Sequence, residues 1–160
     1  MMWATSKQQP LGLGALLEQL RDQLSQLDVT LAAENAAVRD FDADALEKLV
    51  ARKSRLVATL EALDRNRRDQ LAASGLANSS AGMRALTRGD PAAGALWLEI
   101  EVLSRRARHA MEANAVLLQA HQRLAVDALA AIYGDRGEPA LYEGRTSVRP
   151  HAPARSLGKA

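Results

Sequence analysis

The chain has 160 residues, 48% of them apolar but only 3% aromatic, so its apolar surface comes mostly from Leu, Ala and Val, which suits long helices meeting along narrow seams rather than a thick core. The absence of cysteine excludes disulfides and thiolate metal centres and fits a reducing cytoplasm. A formal net charge of +2, with both signs mixed along the chain, argues against a strong nucleic-acid footprint, and no run approaches the roughly 18 apolar residues that a membrane span requires.

Residues Met1–Pro10 are polar with a single lysine, and read as a frayed terminus rather than a signal peptide, with Trp3 incidental to it. A first helix should begin near Pro10, since proline is tolerated in a first turn, and run to about Asp40, a length on the order of 45 Å. Leu13, Leu17, Leu20, Leu24, Leu27, Leu31, Glu34, Val38 and Phe41 recur along it at alternating steps of four and three, the seam of a coiled coil. Asp42, a short carboxylate followed by Ala43, Asp44 and Ala45, should N-cap a second helix that runs to about Ala73 and stops at Ser74-Gly75. The second helix has its own seam, in the same alternation: Leu46, Leu49, Lys53, Leu56, Leu60, Leu63, Arg67 and Gln70.

Folding the two runs back around residues 42–45 pairs them so that the two residue numbers always sum to 87. Phe41 then meets Leu46, Val38 meets Leu49, Leu31 meets Leu56, Leu27 meets Leu60 and Leu24 meets Leu63. Glu34, the acidic residue of the first seam, falls opposite Lys53, the lysine of the second. This register predicts an elongated antiparallel helical hairpin in which Glu34 and Lys53 form a structural register pair. Such a pair roughly cancels its own desolvation cost, so its value lies in penalising a slipped register that would set either charge against leucine.

Residues 75–90, with Gly75, Gly82, Gly89 and Asn78-Ser79-Ser80, read as a long loop with one helical turn around Met83–Thr87. Asp90-Pro91 is a second start signal, a cap carboxylate followed by proline at the first helical position. A third long helix should follow from Pro91 to about Tyr133, stopped by Gly134. Its seam is Leu96, Ile100, Leu103, Ala107, Ala110, Asn114, Leu117, His121, Leu124, Ala128 and Ala131. A second row beside it is mostly polar at first (Trp97, Glu101, Ser104, Arg108) and then becomes Met111, Ala115, Leu118, Gln122, Ala125, Leu129 and Ile132, so the apolar arc widens after Met111. From residue 135 to 160 the pattern dissolves among Pro139, Pro150, Pro153, glycines and arginines into an expected disordered tail, relieved by the apolar pair Leu141-Tyr142. The domain plan is therefore a single three-helix domain over residues 1–134 and a flexible tail over 135–160.

Little in this pattern could carry chemistry. His109, His121 and His151 lack partners at metal-ligand spacing, so a packed or rim histidine is the better reading of His121 on its seam. Arg65, Arg67 and Arg68 lack interleaved aromatics and read as a solvated helix end. No phosphate loop, nucleophile elbow or metalloprotease motif is present, and a two-helix seam offers Glu34 and Lys53 no substrate pocket. These points argue against an enzyme and against a cofactor. The widened arc of the third helix says more. The hairpin offers only Thr30, Ala33, Ala37, Val50 and Val57 outside its seam to cover it, and an uncovered apolar helix face invites a second amphipathic helix.

The chain resembles the FlgN family of flagellar export chaperones over roughly residues 13–160. The match rests on Leu31, Glu34 and Val38, then Asp44-Ala45-Leu46, Leu49, Lys53, Leu56, Leu60, Leu63 and Arg67, and on Leu96-Trp97 at the opening of the third helix. The family's Asn-x-x-Asn-Gly signature is kept in part, with Met111 for the first Asn, Asn114 for the second and Ala115 for Gly. Leu141-Tyr142, Gly144-Arg145, Ser156-Leu157-Gly158 and Ala160 resemble the family's tail. The resemblance implies a cytoplasmic, all-helical chaperone of flagellar type III secretion that uses no nucleotide or metal in binding. It implies as partners the C-terminal helical segments of the hook-associated proteins FlgK and FlgL, and the membrane export gate. On that basis Met111, Asn114, Leu118, Gln122, Ala125, Leu129 and Ile132 are the expected client contacts, and Leu141 and Tyr142 the expected export-gate contact. Rival expectations are a structural coiled-coil adaptor that homo-oligomerises through its third helix and, behind it, a basic nucleic-acid binder using the arginines at 65–68 and 105–108.

Overall fold

A helix must satisfy the orphan donors at its start and the orphan carbonyls at its end, and this chain does so with residues at nearly every junction. The computed structural model describes residues 11–133, with the side chain of Tyr133 excepted. They form four helices, α1 Leu13–Arg39, α2 Ala43–Ala73, α3 Ser80–Leu86 and α4 Pro91–Tyr133, and no strand among the described residues. The all-α reading with an antiparallel hairpin and a third long helix holds. Within the segment 75–90, read as a loop with one turn around Met83–Thr87, the helical part is the longer, seven-residue α3.

The two junctions of α1 and α2 are built alike. Asp40 caps α1; the amide of Phe41 then donates to Val38 O at 3.3 Å and that of Asp42 to Ala37 O at 3.0 Å. These two bonds tie off the last carbonyls in a Schellman arrangement, which requires a left-handed residue at Phe41, where φ is +56°. Asp42 also begins α2, its carboxylate accepting from the amide of Ala45 at 3.0 Å. At the other end of α2, Gly75 N donates to Ala72 O at 3.0 Å and Leu76 N to Leu71 O at 2.9 Å, with Gly75 at φ +68°. Phe41 was expected as the last seam residue opposite Leu46. It is instead 76% exposed, because the left-handed turn swings it out of the heptad row.

The chain divides by packing into two units, Met1–Gln122 and Arg123–Ala160. In the first, α1 is the central element: Leu17, Leu20, Leu24, Leu27, Leu31, Glu34 and Val38 of its seam are buried, and Leu16, Thr30 and Ala37 add a second buried row beside them. On α2, Leu56, Leu63, Arg67 and Leu71 are buried. The main apolar cluster joins Leu16, Leu17, Leu20 and Leu24 to Leu63, Leu71, Met83, Ala93 and Ile100, and a smaller one joins Leu27, Leu31, Leu56 and Ala107. Each fully buried leucine contributes about 1.5–3 kcal/mol. The short α3 serves the core through Met83, which is wholly buried. It is capped by Ser79 Oγ, which accepts from Gly82 N at 3.0 Å, and Gly82 must be glycine since a Cβ there would lie 1.9 Å from Ala77 O. Asp90 caps α4 as read from its sequence, accepting from Ala93 N at 3.1 Å ahead of the buried Ala93. In the second unit the described residues continue α4 to Tyr133, and Leu124, Val126, Leu129 and Ile132 are exposed.

Candidate functional site

The anticipated pair is present. Lys53 Nζ donates to Glu34 Oε1, joining α2 to α1, with the carboxylate 6% and the lysine 25% exposed. The pair belongs to a larger polar layer. Asn114 of α4, 5% exposed, donates from Nδ2 to Glu34 Oε2 and to Leu31 O, both at 2.9 Å, and its Oδ1 accepts from Asn35 Nδ2 at 2.8 Å. Both carboxylate oxygens and both ends of the amide are thereby used, so the burial of these groups is compensated. Arg106 of α4 adds an outer tie to Asp28 of α1 at 2.8 Å.

This layer takes up one of the expected client contacts. Asn114, a seam position also expected among the client contacts, lies inside, engaged with α1. Its position on the seam between Ala110 and Leu117 was the available signal. Within the same unit Met111 is 40% exposed, Leu118 is 37% exposed, and Ala115 and Gln122 are exposed. Ala125, Leu129 and Ile132, in the second unit, are exposed as well. Leu141 and Tyr142 lie outside the described residues. His121, half-buried, stacks on Phe41 with ring centroids 4.5 Å apart and planes 15° apart, which makes it a rim histidine. The backbones of α1 and α2 run close together, whereas α4 meets them mainly through side chains, which leaves clefts along its flanks.

Two clefts lie between α2 and α4. The deeper, about 300 Å³, is lined by Leu60, Asp64 and Arg67 of α2, Trp97, Ile100 and Ser104 of α4, and Leu20 and Leu24 of α1 beneath them. Arg67 is held there by Asp64 at 2.7 Å and by Asn78 at 2.9 Å, with its guanidinium 5.4 Å from the Trp97 ring centroid. The buried Trp97 Nε1 has no hydrogen-bond partner among the described residues. The second cleft, about 280 Å³, is lined by Lys53, Ser54, Val57, Ala58 and Glu61 with Met111. On the other flank of α4, a broader depression is lined by Arg21, Ser25, Leu98, Glu99, Val102 and Leu103. The Arg21 guanidinium there is held above its ordinary range by its hydrogen bond to the Asp22 carboxylate and by that carboxylate's charge.

Among the described residues no cluster of His, Asp or Glu is arranged to hold a metal, and no helix is long and apolar enough to cross a membrane. Among the described residues neither Ser54 nor Ser104, the hydroxyls of the two clefts, makes a side-chain hydrogen bond to a carboxylate or lysine. What the surface offers is apolar helix flank and groove.

Comparison with known proteins agrees with that surface. The family model described as FlgN protein matches residues 12–149. No curated protein and no solved structure matches the chain. The chain belongs to the FlgN family, a family of flagellar chaperones.

Proposed function

We propose that this protein is a cytoplasmic export chaperone of the flagellar type III system that binds C-terminal helical segments of hook-associated proteins of the FlgK and FlgL type and delivers them to the export gate. Binding needs no catalysis and no cofactor: the client's apolar helix face is held out of water until export. Family membership supports the chaperone role. The observation that carries the client reading is the exposure of Met111 and Leu118 on a row of α4 that is otherwise made of small or neutral residues, Ala115 and Gln122. Apolar side chains three, four and seven apart on an exposed flank are the anchors an amphipathic guest helix requires. Ala125, Leu129 and Ile132 continue that spacing in the second unit and are proposed as further client contacts. Glu34 and Lys53 are proposed to fix the register of the hairpin that presents α4, and Leu141 with Tyr142 to contact the export gate.

The test is a binding assay with peptides from the C-termini of hook-associated proteins. Leu118→Asp combined with Leu129→Asp should abolish binding while helicity by circular dichroism persists; unchanged affinity would reject this face. Tyr142→Ala should leave client binding intact and lower secretion. A concentration-stable homo-oligomer that takes no client peptide, seen by light scattering, would favour the adaptor reading instead.

A further inference from the structure

We infer that the client helix seats in the groove between α2 and α4, completing a four-helix arrangement, rather than on the back of α4. This deepens the proposed chaperone reading and rests on it. Four observations in the first unit converge. The two clefts between α2 and α4 lie in line, and their α2 walls are centred near Val57 and Asp64, seven residues or about 10 Å of helix apart. That is the spacing of two anchors seven apart on a guest helix, so one guest can fill both clefts at once. Met111, 40% exposed, is a wall of the second cleft, so the exposed apolar row begins at this groove.

The groove also dictates chemistry to its occupant. Trp97 forms a wall of the deeper cleft, and its buried indole donor has no acceptor among the described residues. The α2 lip is mixed in charge, but its cations Lys53 and Arg67 are already engaged by Glu34 and Asp64, so what differs between the lips is the charge left unpaired. Glu61 lies on the α2 lip, while Arg108 sits between Ser104 and Met111 on the α4 row, and neither has an ion-pair partner among the described residues. The guest is therefore an amphipathic helix of the client with a basic residue toward α2, an acidic residue toward α4, and two apolar anchors a heptad apart. The broader depression on the other flank of α4 also carries a charge on each wall, Arg21 and Glu99, but its exposed apolar residues Leu98 and Val102 stand four apart in a single cleft rather than a heptad apart in two, so it is the competing seat and serves as the control.

The experiment uses the full-length chain and synthetic peptides covering the C-terminal helix of a hook-associated protein. Ala58→Arg fills the second cleft from an exposed position and should weaken binding at least about tenfold. Glu61→Lys and Arg108→Glu should each weaken it by about three- to fivefold, with loss growing as salt is lowered. Leu98→Asp with Val102→Asp, on the other flank, should leave affinity unchanged. In a Trp3→Phe background, Trp97 emission should shift when peptide binds. Normal affinity in Ala58→Arg together with loss in the Leu98/Val102 variant would overturn the groove and leave the chaperone reading standing. Failure of the wild-type chain to bind any such peptide would overturn both. Unaltered melting temperature of Ala58→Arg is the check that its effect is local.

Discussion

The two ends of the α1–α2 hairpin solve the same problem with different means. At the open end, Gly75 takes the left-handed position that closes α2, Leu76 packs back on the core, and the surrounding cluster of Leu16, Leu17, Leu71, Met83 and Ala93 is entirely apolar. Toward the tip, an aromatic residue takes the left-handed position, and the layer beneath it is built from Glu34, Lys53, Asn35 and Asn114. A left-handed non-glycine residue costs roughly 1–2 kcal/mol, and a buried ionic layer contributes little net stability. The difference teaches a division of labour: the open end holds the bundle together, and the tip end specifies how its helices align.

The contrast can be broken most forcefully at the open end. Leu17→Ala should cost about 2–5 kcal/mol, since Leu17 is wholly buried and its neighbours come from α2, α3 and α4, and denaturant unfolding reads the loss. In the polar layer, Glu34→Leu alone should cost about 1–3 kcal/mol, because it strands Lys53 and removes one of the two acceptors of Asn114. Glu34→Leu with Lys53→Leu should recover to within about 1 kcal/mol of the starting stability or exceed it, while loosening register. The absence of native cysteine makes that readable by cross-linking Val38→Cys to Leu49→Cys against slipped partners. Outright unfolding of the double variant would mean that the pair is a stabiliser after all.

The smallest effects sharpen the comparison. Gly75→Ala should cost about 1 kcal/mol, as a Cβ there meets no atom within 4 Å but suffers the backbone strain. Phe41→Gly should change thermal stability by less than about 1 kcal/mol, since relief of that strain offsets the lost stack on His121 and the added freedom of the unfolded chain. A loss beyond about 2 kcal/mol for Phe41→Gly would show that the ring stack anchors the tip.

The hairpin was legible because a period of three and four repeats over both helices without a slip, and because its two seam charges mark one register among many. The Asp90 cap of α4 and its seam from Leu96 to His121 were legible for similar reasons, each carrying a local chemical signature, whereas Leu124, Ala128 and Ala131 farther along the same row are exposed. Phe41 misled because an aromatic residue on a heptad position looks like core, while the turn geometry that evicts it depends on Ala37, Val38 and Asp42 acting together. The segment holding α3 is too short for a period to show, and Met83 is buried by tertiary packing that its polar neighbours do not advertise. Asn114 stood on the seam in plain view. A seam amide facing the seam carboxylate Glu34 is already engaged within the bundle, which its place among the expected client contacts did not take into account. The α2 wall of the groove, Ser54 to Glu61, has no periodic signal of its own, because it becomes a surface only once α4 is in place.

Asp42 finishes one helix and starts the next, its amide closing α1 while its carboxylate opens α2. The hairpin consequently has no spare link to absorb a change in length. One inserted residue at that corner would rotate α2 by about 100° about its own axis and carry its whole row of leucines off the facing row, so tolerance to indels should vanish here even though the corner is bathed in solvent.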